Sequence, residues 1–199
     1  MPILTLPSIP PASIDWQLLT VSESFASPFT GSEQTAGMPG SARIVATLTW
    51  KLTRVESFDL EAFLWECDGP AGRFYLGIHP RATPRGNPLG VPVVDGAANS
   101  GGSLASRGWT PNAAGVLLRG DYIGVNNELK MLRADANADA DGKLTLSIKP
   151  NLRTVPADGT PIVTAAPKGI FRLLDDNQVK FAYRKQTGDY QVTAVETWS

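Results

Sequence analysis

From Arg43 to Thr53 the chain alternates. Ile44, Ala46, Leu48, Trp50 and Leu52 are apolar, and they are separated by Arg43, Val45, Thr47, Thr49, Lys51 and Thr53, which are mostly polar or Thr. Successive side chains of a strand point to opposite faces, so this period of two predicts a half-buried strand. The period then changes. Val55, Phe58, Ala62 and Trp65 recur at helical spacing, Thr53 and Glu56 stand at capping-box spacing, and Asp68-Gly69-Pro70 supplies a stop. An amphipathic helix over residues 54–67, lying across a sheet on that stripe, is expected.

A strand "GRFYLGI" follows, and then a long Pro/Gly-rich segment from His79 to Trp109. Structureless stretches beyond about 12–15 residues are usually functional or ordered by a partner. Residues 79–109 are therefore expected to be extended, either as a plain surface connection or as an arm packed on a neighbouring subunit. In the arm reading, removing residues 81–105 leaves a folded monomer. The last ninety residues read as short antiparallel strands: "VLLRGDYIGV", "ELKMLRA", "KLTLSIKP", "TPIVTAA", "GIFRLL", "QVKFAYR" and "DYQVTAVETW".

The expected fold class is mainly β with one helix (α+β), an antiparallel β-barrel or sandwich with long extended arms. The chain is expected to be a single structural unit, 1–199. Residues 12–110 form an N-terminal β region and residues 111–199 a C-terminal antiparallel β region.

Composition narrows the function classes. Lys plus Arg number 18 and Asp plus Glu 19, a formal net charge of −1, so nucleic acid is not an expected partner. The single cysteine, Cys67, excludes an intrachain disulfide and suits folding in a reducing cytosol. "MPILTLPSIPPAS" lacks a basic n-region and is interrupted by prolines, so it does not read as a signal peptide. No apolar run approaches the ~18 residues of a membrane helix, and no membrane partner is expected.

Little in the chain looks like chemistry. His79 and Cys67 are each alone of their kind, whereas His or Cys catalysis needs a partnered pair. The stretch from Asp135 to Gly142 sets Asp or Asn at every second position, like a calcium loop. An EF-hand loop needs Gly at position 6 and Glu at position 12. Counting from Asp135 these are Ala140 and Leu146; counting from Asn137 they are Gly142 and Ile148, so neither register works. A turn with acidic decoration, closed by Asp141-Gly142, accounts for the same residues, with a weak cation site as the competing reading. "RGD" at 119–121 reads as a turn between strands. Catalytic residues, cofactors and metal ligands are all expected to be absent.

Three segments carry a resemblance. "SPFTGSEQTAGMPGSARIVATLTW", "LEAFLWECDGPAGRFYLGIHPRATPRG" and "LLRGDYIGVNNELKMLRADANADADGKLTLSIKPNLRTVPADGTPI" occur in the order seen in tailed-phage and prophage tail-tip structural proteins. The chain resembles that family from about residue 20 to 175, most like a distal tail protein. Ala42-Arg43-Ile44 departs from the Arg-Trp often found at that strand start.

The resemblance implies a virion protein of a siphophage tail tip, present in the host cytoplasm during assembly. It would form a ring, a hexamer in the family, at the distal end of the tail tube. Its partners would be further copies of itself, the tail tube protein and the baseplate hub protein. A ring subunit needs heterologous contacts on two sides. The 79–109 arm suits that task, as do the N-terminal prolines, which stiffen a segment for docking. Arg81, Pro84 and Arg85 are the candidates for a subunit interface. Two alternatives come from other classes. One is a carbohydrate-binding module of the tail tip using aromatics such as Phe74, Tyr75, Trp109 or Trp198. The other is a cell-wall-degrading enzyme using two of the seven Glu.

Overall fold

A computed structural model describes residues 2–38, 40–78, 81–96, 99–176 and 187–197. His79, Trp198 and the expected strand "QVKFAYR" lie outside the described residues. The fold is mainly β with one α-helix, as the alternating pattern and the turn spacing imply.

The first sheet has the order β1 (Ile3–Thr5), β6 (Arg73–Gly77), β13 (Lys168–Leu173), β14 (Thr187–Glu196), β5 (Arg43–Thr53), β2 (Ser13–Leu19). The second runs β12 (Ile162–Val163), β9 (Tyr122–Val125), β10 (Glu128–Leu132), β11 (Lys143–Leu152), β8 (Gly101–Trp109), β7 (Gly90–Val94). A separate two-stranded hairpin joins β3 (Ser22–Ala26) to β4 (Glu33–Gly37). Pairing is antiparallel except between β1 and β6, which run parallel.

In β5 the alternation is realised as expected: Ile44, Ala46, Leu48, Trp50 and Leu52 are all buried. They form one core with Phe74, Leu76, Phe171, Leu173 and Val192. Full burial of a large apolar side chain contributes about 1.5–3 kcal/mol, so this single face is a major source of stability. The helix α1 (Ser57–Glu66) covers that core.

Two features of the helix differ from expectation. The Thr53–Glu56 pair is bonded as a capping box requires, with Glu56 Oε2 accepting from Thr53 N at 2.9 Å. Yet the helix proper runs 57–66, inside the expected 54–67. The expected inward stripe also faces outward. Leu60, Phe63 and Leu64 are buried, while Val55 (77%), Phe58 (58%) and Trp65 (74%) are exposed. Both stripes have helical spacing, so period alone could not choose between them. Phe63 meets Phe74 edge to face at 5.3 Å, which fixes the chosen side.

The second sheet curls into a nearly closed barrel. Its end strands meet where Val93 bridges Pro161, with Val94 N–H donating to Thr160 O at 2.9 Å and Gly159 N–H to Val94 O at 3.0 Å. Side chains such as Leu104, Ile123, Leu132 and Leu146 fill the interior, as small barrels require. A clasp sits over the seam. Arg107 on β8 reaches Asp95 beyond β7 at 2.7 Å and Asp158 before β12 at 2.6 Å. The Arg107 bond, followed by the Gly96 amide, holds the Asp158 carboxyl down at about 2.

This topology corrects the extended arm 79–109. Gly90–Val94 and Gly101–Trp109 are strands of the barrel wall, and Leu104 and Trp109 are in its core. Removing 81–105 would therefore open the barrel instead of leaving a folded monomer. Gly86 shows how tightly the preceding segment packs, because a Cβ there would lie 2.4 Å from Val116 O. The sheets also cross the division at residues 110 and 111. β8 pairs with β11, while β13 and β14 join β6 and β5. The barrel is thus inserted between β6 and β13 of the first sheet. The N-terminal segment packs on the chain's own first core through Leu4, Leu6 and Ile9, and Trp50 Nε1 donates to Ile9 O at 3.2 Å.

A buried ionic joint ties sheet to barrel. Glu196 of β14 pairs with Arg153 at 3.1 Å and accepts from the amides of Ile44 and Leu129. On β10, Glu128 pairs with Lys130 at 2.5 Å and accepts from the Arg153 and Thr154 amides. Arg153 Nη2 donates to Ala42 O at 2.5 Å. Two carboxylates and two cations offset one another there, which a dry site demands.

Candidate interaction surfaces

Of the expected interface residues, Arg81 and Arg85 converge on one open pocket with Thr83, Arg119, Gly120 and Asp121. Pro84 lies between the two arginines in the chain and is not among the residues lining the pocket. Asp121 organises the site. Its carboxylate accepts from the amides of Leu118 (2.8 Å), Arg85 (3.0 Å) and Gly86 (3.1 Å), and Arg85 Nε lies 3.5 Å away. Burial on its own would raise the Asp121 pKa, but the three amides and Arg85 together hold it below the usual carboxylate value. Arg85 Nη2 donates to Arg119 O, and Arg81 Nη1 to Gly120 O at 3.5 Å. "RGD" is thus a turn, as read, and its Asp is buried inside the loop it holds together.

The acidic stretch is likewise a backbone-capping device. Ala136 and Ala138 are buried against the barrel core, while Asp135, Asn137 and Asp139 point outward, which explains the period of two. The outward oxygens accept backbone donors. Asp135 takes Arg119 N, Asn137 takes Gly115 N, and Asp139 takes Asp141 N and Lys143 N, all at 2.7–2.9 Å. Gly142 has φ +69°, and a Cβ there would sit 2.3 Å from Trp109 O, so the closing turn demands glycine. Among the described residues no group of three or more His, Cys, Asp or Glu is placed to hold a metal ion.

Of the other candidates Tyr75 is half-buried and lines surface pockets, while several fall within the core. Cys67 is buried and its thiol is pushed up to about 11, by burial first and by Glu66 second, so it stays protonated at neutral pH. Phe74 and Trp109 are buried, with Trp109 Nε1 donating to Ser106 Oγ at 2.9 Å, so neither offers a stacking face. The buried Glu128 and Glu196 are committed to the ionic joint. Among the described residues no helix is long and apolar enough to cross a membrane.

Two apolar surfaces were not anticipated. One is the outer helix stripe of Val55, Phe58 and Trp65. The other is the β3–β4 hairpin, in which every residue of both strands is exposed. Phe25 (61%) lies on its stem and Phe29 (95%) at its tip. The tip is set by Ser27, whose Oγ accepts from the Phe29 and Thr30 amides and whose carbonyl accepts from Gly31 N at 2.9 Å. The signal was present in "SPFTG", which has turn-forming Ser and Pro followed by Gly.

No protein-family model matches the chain, and no curated protein matches it.

Proposed function

We propose that this protein is a structural subunit of a tailed-phage tail tip, most similar to a distal tail protein. Copies assemble into a ring at the end of the tail tube and join it to the baseplate hub. The observation that carries this reading is the projecting hairpin. A lone two-stranded hairpin is at best marginally stable in water, and this one presents Phe25 and Phe29 to solvent. Such a projection gains most when it is covered by a neighbour, and exposed apolar patches mark interaction sites. A hairpin on one side of the subunit and its receiving surface on another make the contact heterologous, which is the geometry that closes rings. The order of the three resembling segments supports the tail-tip placement, and the function on this reading is geometric, with no catalytic step.

The test is the mass of the purified chain by light scattering over a concentration series, with electron microscopy of the same sample. A discrete closed ring supports the reading. A monomer at all concentrations, with no ring images, overturns it.

A further inference from the structure

Resting on the ring reading, the charge distribution says where the hairpin goes. Between Thr20 and Ala42 there are two carboxylates, Glu23 and Glu33, and neither Lys nor Arg. The hairpin is therefore an acidic, apolar probe. Its register puts Glu23 opposite Ala36 and Phe25 opposite Gln34, so Glu23 and Phe25 share one face. The other face carries Glu33 and the Ser24–Thr35 hydroxyl pair at 3.0 Å.

Two of the exposed surfaces differ sharply in charge. The outer helix stripe offers Val55, Phe58 and Trp65, but Glu56, Asp59 and Glu66 are also exposed on that helix and its cap, against Arg54 alone. Like charges would oppose an acidic probe there. The pocket lined by Arg81, Arg85 and Arg119 brings three arginines beside two carboxylates, Asp121, which three backbone amides occupy, and Asp135, which accepts from the Arg119 amide. A few residues further along the chain, Leu89 and Val91 are exposed and offer apolar surface for an aromatic ring.

We infer that the β3–β4 hairpin of one copy seats its Glu23–Phe25 face on the Arg81–Arg85–Arg119 pocket of the next copy. Glu23 meets the guanidiniums, and Phe25 covers the apolar surface beside them. Charge complementarity selects this seat over the helix stripe and sets the direction in which the ring closes.

A charge-swap experiment on the full chain tests the seat. Arg119 is the pocket residue to reverse, because the bonds given for it among the described residues run through its backbone. Glu23→Arg and Arg119→Glu are prepared separately, and their folding is checked by circular dichroism. Either reversal places like charges at every junction, so each variant alone should associate at least about tenfold more weakly than wild type. In an equimolar mixture, copies that alternate restore opposite charges at every junction, and the mass should rise again.

Single variants that assemble like wild type would overturn the seat while leaving the ring reading standing. Dissociation that mixing does not repair also counts against the seat. A wild-type chain that never assembles overturns the ring and the seat together.

Discussion

The barrel and the hairpin are built from the same kind of antiparallel pair, yet they treat their surfaces in opposite ways. The barrel turns one face of each strand inward onto Leu104, Ile123, Leu132 and Leu146, and joins its two end strands at Val93 and Pro161 under the Arg107 clasp. The hairpin has solvent on both faces and leaves Phe25 and Phe29 uncovered. Closure removes the open edges that make sheets associate, whereas a free two-stranded ribbon keeps them. If the proposed ring is right, stability and assembly are carried by different segments of one chain.

That contrast can be broken most severely at the joint on which the barrel sits. Glu196→Ala would leave Arg153 without its buried counter-charge and strand the Ile44 and Leu129 amides, at a cost of about 3–5 kcal/mol. A urea titration should show the midpoint fall accordingly; an unchanged midpoint would mean that the network contributes nothing net. Next in size, Leu146→Ala opens a cavity inside the barrel and should cost about 2–5 kcal/mol in the same titration.

The clasp gives a smaller and pH-dependent effect. Asp158 has its carboxyl held down from 3.8 to about 2 by Arg107, so the stabilisation is fully present above pH 3.8. It is lost as the pH falls through about 2, where the folded protein also takes up the proton. The difference in urea midpoint between wild type and Arg107→Ala should therefore be constant near neutrality and shrink between pH 3.8 and 2. A difference that is flat across that window would remove the clasp from the account. Smallest of all is the expected effect of the double change Phe25→Ser and Phe29→Ser on folding. Exposed substitutions usually shift stability within about 0.5 kcal/mol, so the melting temperature should hold while, on the proposed ring reading, the mass in solution falls to that of a monomer.

How much was legible in advance can be argued from particular residues. The β5 alternation, the Thr53–Glu56 pairing and the Asp141-Gly142 turn were readable because each is written in adjacent residues and their own backbone chemistry. The acidic stretch reads as a turn from its sequence, but its alternation has a further cause, since the intervening alanines are buried in the barrel core. Arg81 and Arg85 were singled out with Pro84, yet the third arginine and the aspartate that complete their pocket lie in the "RGD" turn. Their approach depends on tertiary bonds between residues 81–86 and 118–121.

The sequence by itself determined a β-rich chain with one helix, its main turns, and, with one cysteine in these 199 residues, no intrachain disulfide among them. Tertiary structure alone decided which of two equally spaced helix stripes is buried, because packing against Phe74 and Leu76 makes that choice. It also decided that residues 90–109 are barrel wall and that the last strands return to the first sheet, pairing Lys168 with Gly77 and Val195 with Val45. Those pairings join residues far apart in the chain. Their free energy comes from surfaces that exist only once both partners are in place, so local period carries no record of them.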